Sequence, residues 1–408
     1  MSYQIKLFNT LTNQKEQLVT CQENVVKMYV CGPTVYDRAH IGNARSVVVY
    51  DLLYRLLLQL YHQVIYVRNI TDVDDKINNR AKDQKISIKE LTTKVTELFH
   101  SDVQELNTLI PTFEPKVTEH IAEIIELIKR LLENKNAYLS ENHVLFDVNS
   151  YPNYGKLSKR NIDNMIAGAR VEIANYKKNP LDFVLWKPAD FDDDPSSVFE
   201  SPWGRGRPGW HIECSAMSSK YLGCDFDIHG GGADLQFPHH ENEIAQSCSA
   251  HNGSHYAKYW VHNGFVTVNG EKMSKTLKNF ITIHDLLELG KSGIAIRLML
   301  LTTHYRKPFD FNNKALSDAE KTIEKFHKIV DETLAIFNDY NLEFFIAKDF
   351  IASEVIQGLA DDLNFSKALA TLHEITKEIK HDQNSLDLRK KFISTLNFLG
   401  LLKKYNSH

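Results

Sequence analysis

The stretch from residue 25 to residue 68 constrains this chain most. Val25-Val26-Lys27-Met28-Tyr29-Val30-Cys31 is apolar and β-prone throughout and reads as a buried strand. Gly32-Pro33-Thr34 turns the chain. From about His40 to Leu60 the apolar positions Val47, Val48, Tyr50, Leu53, Leu56, Leu57 and Leu60 recur at helical spacing. Gln63-Val64-Ile65-Tyr66-Val67-Arg68 is a second strand. Strand, glycine turn, long helix and strand make a βαβ unit, which requires a parallel sheet of the Rossmann-like α/β type. Ligands of such sheets bind beyond the carboxyl ends of the strands, beside helix N-termini.

Residues 88–106 and 116–134 read as amphipathic helices, and 143–210, rich in Asn, Pro, Asp and Gly, read as irregular. Strand character returns at 225–229 and 259–268. From about 316 onward, Leu372, Ile375 and Ile379, then Phe392, Leu396 and Leu399, fit a bundle of helices.

A chain of 408 residues exceeds one ordinary core, so several domains are expected. The net charge of −4 confines any nucleic-acid surface to a local patch. The start lacks a secretory apolar segment and no apolar run reaches the ~18 residues of a membrane helix, so a cytoplasmic protein is expected. Five cysteines, Cys21, Cys31, Cys214, Cys224 and Cys248, are too few and too scattered for a disulfide framework; metal ligation and plain burial remain as readings.

His40-Ile41-Gly42-Asn43 stands where the turn opens the long helix, a place that gathers free N–H groups and the positive helix end. His40 and Asn43 share one face of the first turn and both can donate to phosphate oxygens, while Gly42 permits close approach of a flat base. A capped helix with a buried histidine is the other reading. Lys272-Met273-Ser274-Lys275-Thr276, after a strand and the turn Asn269-Gly270, is a cationic loop able to neutralise a leaving pyrophosphate, or else a plain exposed basic loop.

Together these two stretches resemble the HIGH and KMSKS signatures of class I aminoacyl-tRNA synthetases. Longer stretches resemble the cysteinyl family of these enzymes: Met28 to Asp37, Tyr66 to Asp72, Ser201 to Gly204, Gly209 to Met217, Gly230 to Asp234 and His239 to Glu243. Asn43 stands where the signature has its second histidine and Thr276 where it has its last serine; each keeps a hydrogen-bonding group. The resemblance implies a Rossmann-like catalytic domain in two halves, 1–112 and 200–258, with a connective insertion at 113–199. It further implies a KMSKS-containing connecting domain at 259–315 and a helical bundle at 316–408 on the tRNA side.

Cys31, Cys214, His239 and Glu243 form a second constellation. His239 and Glu243 are four apart on one helical face, and two thiolates, an imidazole and a carboxylate suit Zn2+; no compact zinc-finger spacing is present, and buried cysteines beside a surface His/Glu pair would read the same. In the family resembled, the matching positions hold one zinc ion that binds the substrate thiolate, so no editing domain is expected. His240, turned about 100° from His239 on a regular helix, is the lesser candidate ligand. Cys21, Cys224 and Cys248 match no ligand position. Thr34, Trp210 and Asp234 flank the matched motifs, with substrate contact and plain packing both open.

The implied reaction is ATP-dependent activation of L-cysteine, with Mg2+ accompanying ATP, and transfer to tRNA(Cys) by a monomer without a membrane. His40, Asn43, Lys272 and Lys275 are assigned to the phosphates. The rival readings are a mycothiol-pathway ligase joining cysteine to an amino sugar, and a synthetase-like binding protein without activity. Lys156, Lys159 and Arg160, and Arg389, Lys390 and Lys391, are candidate tRNA-facing patches. Family members usually continue beyond the bundle into an anticodon-contacting domain, and this sequence stops at Lys403 to His408; either it is a truncated form or the protein manages without that domain, and in the second case weaker anticodon discrimination is the expectation.

Overall fold

Four parallel strands carry the fold. The computed structural model describes residues 3–159, 174–191, 193–273 and 279–402. In it, β1 (Val25–Val30), β2 (Gln63–Arg68), β3 (Phe226–Gly232) and β4 (Ala257–Asn263) form one sheet in the order β4-β3-β1-β2. Val30 lies opposite Arg68 and Gly230, and Asn263 opposite Gly232, so all four carboxyl ends meet at one edge. β1 is buried on both faces, as a parallel strand between helical layers must be. Val26, Met28 and Val30 join the core built by α1 (Ile41–Leu60). Tyr29 and Val67 join the core that includes Ile212 and Met217 of α2 (Trp210–Leu222) and Ala245 of α3 (Glu241–Ala250). The βαβ reading of 25–68 therefore describes one half of a doubly wound sheet, from an inner strand to an edge.

Helices Ile88–Glu105 and Ile121–Glu133 match the amphipathic expectation. The irregular reading of 143–210 needs correction. A four-stranded antiparallel sheet is built from Ala137–Ser140, His143–Phe146, Phe183–Pro188 and Gly206–Pro208. Its strands are too short for alternation to stand out, and the closing prolines look like loop residues. Gly209 is required beside this sheet, since an added Cβ would stand 1.9 Å from the Val184 carbonyl oxygen.

Hydrogen-bonded pairing runs across three of the expected domain borders. The Phe113 N–H donates to Tyr66 O and the Arg68 N–H to Phe113 O, so residue 113 still belongs to the sheet edge. Gly206–Pro208 joins the inserted sheet beyond 199, and β4 runs across 258/259.

The C-terminal helices are Asn313–Ile336, Ser353–Ala360, Phe365–His381 and Leu386–Phe398. Leu372, Ile375, Ile379, Phe392, Leu396 and Leu399 are buried together, as their spacing required. Arg389 departs from the expected basic surface: it is buried and donates to Thr333 Oγ1 and Gln383 O. Arg55 and Arg297, which both hold the buried Asp51 carboxylate of α1, tie the end of the bundle to it by donating to Asn397 O and Leu399 O. No helix among the described residues is long and apolar enough to cross a membrane.

Candidate active site and metal centre

A cleft of about 530 Å3 opens at the carboxyl ends of the parallel strands. Cys31 lines it beyond β1, His40 and Asn43 at the start of α1, Asp234 beyond β3, and Phe265 and Thr267 beyond β4.

His40 is the N-cap of α1. Its Nδ1 accepts hydrogen bonds from the N–H groups of Gly42 (3.0 Å) and Asn43 (3.2 Å), and Asn43 Oδ1 accepts from the His40 N–H at 3.2 Å. The Ile41 N–H donates to Ile281 O. The leading donors of the helix are thus already used, which corrects the expectation of free N–H groups here. The side chains take their place. With Nδ1 accepting, the ring proton sits on Nε2, and with Oδ1 accepting, the Asn43 amide nitrogen is left to donate. Burial pushes the His40 pKa down, and the nearby Asp234 opposes this. The motif is a capped helix, and its cap leaves donors at the cleft. Gly42 is needed for the cap itself, because a Cβ there would stand 2.7 Å from His40 Cε1.

Met273 of the second signature lines the same cleft. Its stem, Glu271–Lys272, pairs with Val266–Val268, which pairs in turn with Phe309–Phe311. The Lys272 side chain, Lys275, Thr276 and Arg160 lie outside the described residues.

Behind the cleft the expected donors converge. One ligand atom each from Cys31, Cys214, His239 and Glu243 fall within 4.8 Å of one another. Cys31 Sγ lies 3.7 Å from Cys214 Sγ and 3.6 Å from Glu243 Oε1, and His239 Nε2 lies 3.0 Å from the same oxygen. Two zinc–sulfur bonds of ~2.3 Å at a tetrahedral angle separate the sulfurs by roughly 3.8 Å, so the donor set fits zinc in kind and in spacing. Glu243 Oε2 faces away, accepting from His229 Nε2 and Tyr256 Oη at 2.8 Å each, which leaves Oε1 toward the cluster.

The electrostatics suit a cation. Glu243 is held well below the usual carboxylate range: burial opposes this, and His229 and His239 overcome it. Cys214 is lowered to about 6, first by the hydrogen bond with Cys31; Cys31 is pushed up by burial and by Cys214 and Glu243. Burial works against charge on His239, yet Glu243 and Cys214 raise it to about 10.

His240 does not point away as a regular helix predicts. Its Nε2 reaches 3.3 Å from Cys31 Sγ, because 236–240 is irregular, with Phe237 at φ −144° and ψ 131°. Cys31, His229, His240 and Glu243 form a second, overlapping donor group. The pair of sulfurs favours the first set for zinc.

Trp210 stacks on His239 with ring centres 4.1 Å apart. Asp234 lines the cleft. Thr34 instead pairs with Thr71 through the backbone. Cys21 and Cys224 are exposed and Cys248 half-buried, all outside the cluster. Sequence reasoning missed His229, Tyr256, Asn69 and His262. Asn69 Oδ1 accepts from the Gly32 N–H and lies 3.8 Å from Cys214 Sγ. His262 Nε2 contacts His240 Nδ1 at 2.8 Å. The signal was there: His229 and His262 are polar residues inside buried strands, which need a polar partner.

Residues 17–321 match the family model described as tRNA synthetases class I (C) catalytic domain. A cysteine–tRNA ligase of Wolbachia pipientis subsp. Culex pipiens (strain wPip) is 53% identical over 403 residues, covering 98% of this chain and 85% of that protein. A cysteine–tRNA ligase of Rickettsia bellii (strain OSU 85-389) is 52% identical over 406 residues, covering 98% and 86%. Among solved structures, Mycobacterium tuberculosis methionyl-tRNA synthetase with methionyl-adenylate aligns with a TM-score of 0.61 at 15% identity, over 92% of this chain and 88% of that one. The Agrobacterium radiobacter K84 LeuRS–tRNA–LeuAMS complex aligns at 0.65 and 11%, over 94% and 83%, and these two likenesses speak for the fold alone. The relatives do not favour the amino-sugar reading. With one catalytic-domain match over most of its length and relatives more than half identical along it, the chain belongs to the cysteine–tRNA ligase family of class I aminoacyl-tRNA synthetases.

Proposed function

We propose that the protein activates L-cysteine with ATP to cysteinyl-adenylate and transfers it to tRNA(Cys), choosing cysteine through a zinc-bound thiolate. One observation carries this reading: the soft donors Cys31 and Cys214, 3.7 Å apart, adjoin a cleft whose other wall presents His40 and Asn43. Cys31, Cys214, His239 and Glu243 would hold the zinc. When bound, zinc supplies a soft Lewis acid that takes a thiol as thiolate, which the hydroxyl of serine cannot match.

The protein's own part in the first step is positioning and charge. The cysteine carboxylate attacks the ATP α-phosphorus, the bond to the β-phosphate oxygen breaks, and pyrophosphate leaves with Mg2+. A carboxylate is already a nucleophile, so no general base is needed. His40 Nε2–H and the Asn43 amide donate to phosphate oxygens, and Lys272 and Lys275 neutralise the charge that develops on the leaving group. Trp210, packed on His239, closes the amino-acid end, and Asp234 orients the substrates. In the second step a ribose hydroxyl of the terminal adenosine attacks the mixed anhydride and AMP leaves. The bundle meets the tRNA, and these substrates favour the cytoplasm.

The test is ATP–pyrophosphate exchange with cysteine or serine, with and without zinc. Exchange with cysteine that needs zinc, and none with serine, is the expected result. Equal exchange with serine, or full activity in metal-free protein, would overturn the sulfur-based selection.

A further inference from the structure

Arg45 lies on α1, little more than one turn past His40, and its side chain is completely out of solvent. Its guanidinium donates to four backbone carbonyls: Nη1 to Gly264 O and Phe265 O, both at 3.0 Å, and Nη2 to His304 O at 3.2 Å and Lys307 O at 2.8 Å. Among the described residues no carboxylate pairs with it, and its Nε has no partner. Burying a guanidinium without a counter-charge is unfavourable, and an apolar side chain of similar size would serve the core at least as well. What an apolar side chain cannot do is hold two separate segments at a fixed distance. A planar fork with five donors can.

The two segments held are specific. Gly264 and Phe265 lie between β4 and the strand Val266–Val268. His304 and Lys307 lie just before Phe309–Phe311, the parallel neighbour of that strand. They touch where Arg45 grips them. The Gly264 N–H donates to Tyr305 O at 2.8 Å, and a Cβ on Gly264 would stand 2.5 Å from Lys307 O. Phe265, Val266, Thr267 and Pro308, all from these segments, form the cleft wall that faces His40 and Asn43.

We infer that Arg45 is a positioning residue for the activation step: it sets the wall at 264–267 and 308 against the helix that bears His40 and Asn43. This rests on the function proposed above. The ATP end of the cleft depends on that spacing. The thiol end does not, since Cys31, Cys214, His239 and Glu243 have their own supports in Asn69, His229 and Tyr256.

The experiment compares wild type, Arg45→Met and Arg45→Lys in ATP–pyrophosphate exchange, with thermal unfolding measured alongside. A misplaced wall slows the step by about tenfold or more, raises KM for ATP, and leaves KM for cysteine within about twofold. Arg45→Lys keeps charge and most of the volume but cannot span both segments, so it stays slow while folding normally; it carries the test if Arg45→Met fails to fold. Exchange undiminished in a folded variant, or equal changes in both KM values, overturns the inference. Wild type serves as the control on the wider reading: lack of cysteine-dependent exchange in wild type would sink the proposed function, whereas a normal wild type beside an unaffected Arg45→Lys sinks this inference alone.

Discussion

In His40→Ala the first turn of α1 loses a cap and, on the proposed function, the cleft loses a donor. The structure assigns these jobs to different nitrogens. Nδ1 accepts from the Gly42 and Asn43 N–H groups, and Nε2 carries the proton. Losing an N-cap costs about 1 kcal/mol, which for a chain of this size lowers Tm by roughly 1–3 °C. Losing a donor aimed at developing charge costs ~2.7–4 kcal/mol, or about 100- to 1,000-fold in rate. His40→Asn separates the two. Asparagine is among the best N-caps, so it restores the N–H bonds, but its short side chain cannot put a donor where Nε2 stands. The expected result is near-native unfolding with exchange still down at least ~100-fold. Thermal unfolding and ATP–pyrophosphate exchange at saturating cysteine are the assays. If His40→Asn recovers rate and stability together, the ring is only a cap and the phosphate assignment is wrong.

Three other outcomes follow from the same reading. Cys214→Ser is expected to lose zinc, by direct metal analysis, and cysteine-dependent exchange together; retention of exchange after metal loss would separate the two. Lys275→Ala should lower the activation rate by about 100-fold or more while cysteine affinity, measured by calorimetry, changes little; equal losses would remove it from the leaving-group role. Asp51→Asn strips the carboxylate from the buried Arg297 and the half-buried Arg55 and should destabilise by ~3–5 kcal/mol, read by urea unfolding. Burial alone would raise the Asp51 pKa, but Arg297 and Arg55 depress it below 3.8. Its contribution is therefore present above that pH and lost as the pH falls through the lower folded-state value. The wild-type protein should lose stability below about pH 4 more steeply than Asp51→Asn; parallel acid limbs would count against the pair.

The parts of this molecule that repeat a period were legible in the sequence. The strand at 25–30, the helix at 41–60 and the bundle positions Leu372 to Leu399 needed only spacing and polarity. The inserted sheet was not, because strands such as Gly206–Pro208 have three residues and end in proline. The four cluster residues were named from motif resemblance, since 183 residues separate the two cysteines and spacing alone says nothing. Their supports stayed hidden for the same reason: His229 reaches Glu243 only after β3 and α3 pack. A capped helix was among the readings of 40–43, but that the His40 ring itself is the cap was not legible, because it depends on how the ring turns back on its own helix.

The turn after β1 explains how two chemically unlike ends of one cleft keep a fixed separation. Gly32 follows Cys31, and a Cβ on it would stand 1.6 Å from the Asn69 carbonyl oxygen, so this turn packs directly on the segment after β2. The Asn69 amide then braces both sides. Its Oδ1 takes the Gly32 N–H and approaches Cys214 Sγ, while its Nδ2 donates to Thr71 Oγ1, which donates to Glu213 beside Cys214. From Gly32 the chain runs only eight residues to His40. The cysteine cluster behind β1 and the His40 cap at α1 are therefore referred to one packed turn rather than to two independent loops. A misplacement of about 1 Å can cost an in-line attack about 100-fold in rate, so on the proposed function this shared footing would let a metal that selects sulfur also fix the carboxylate for reaction.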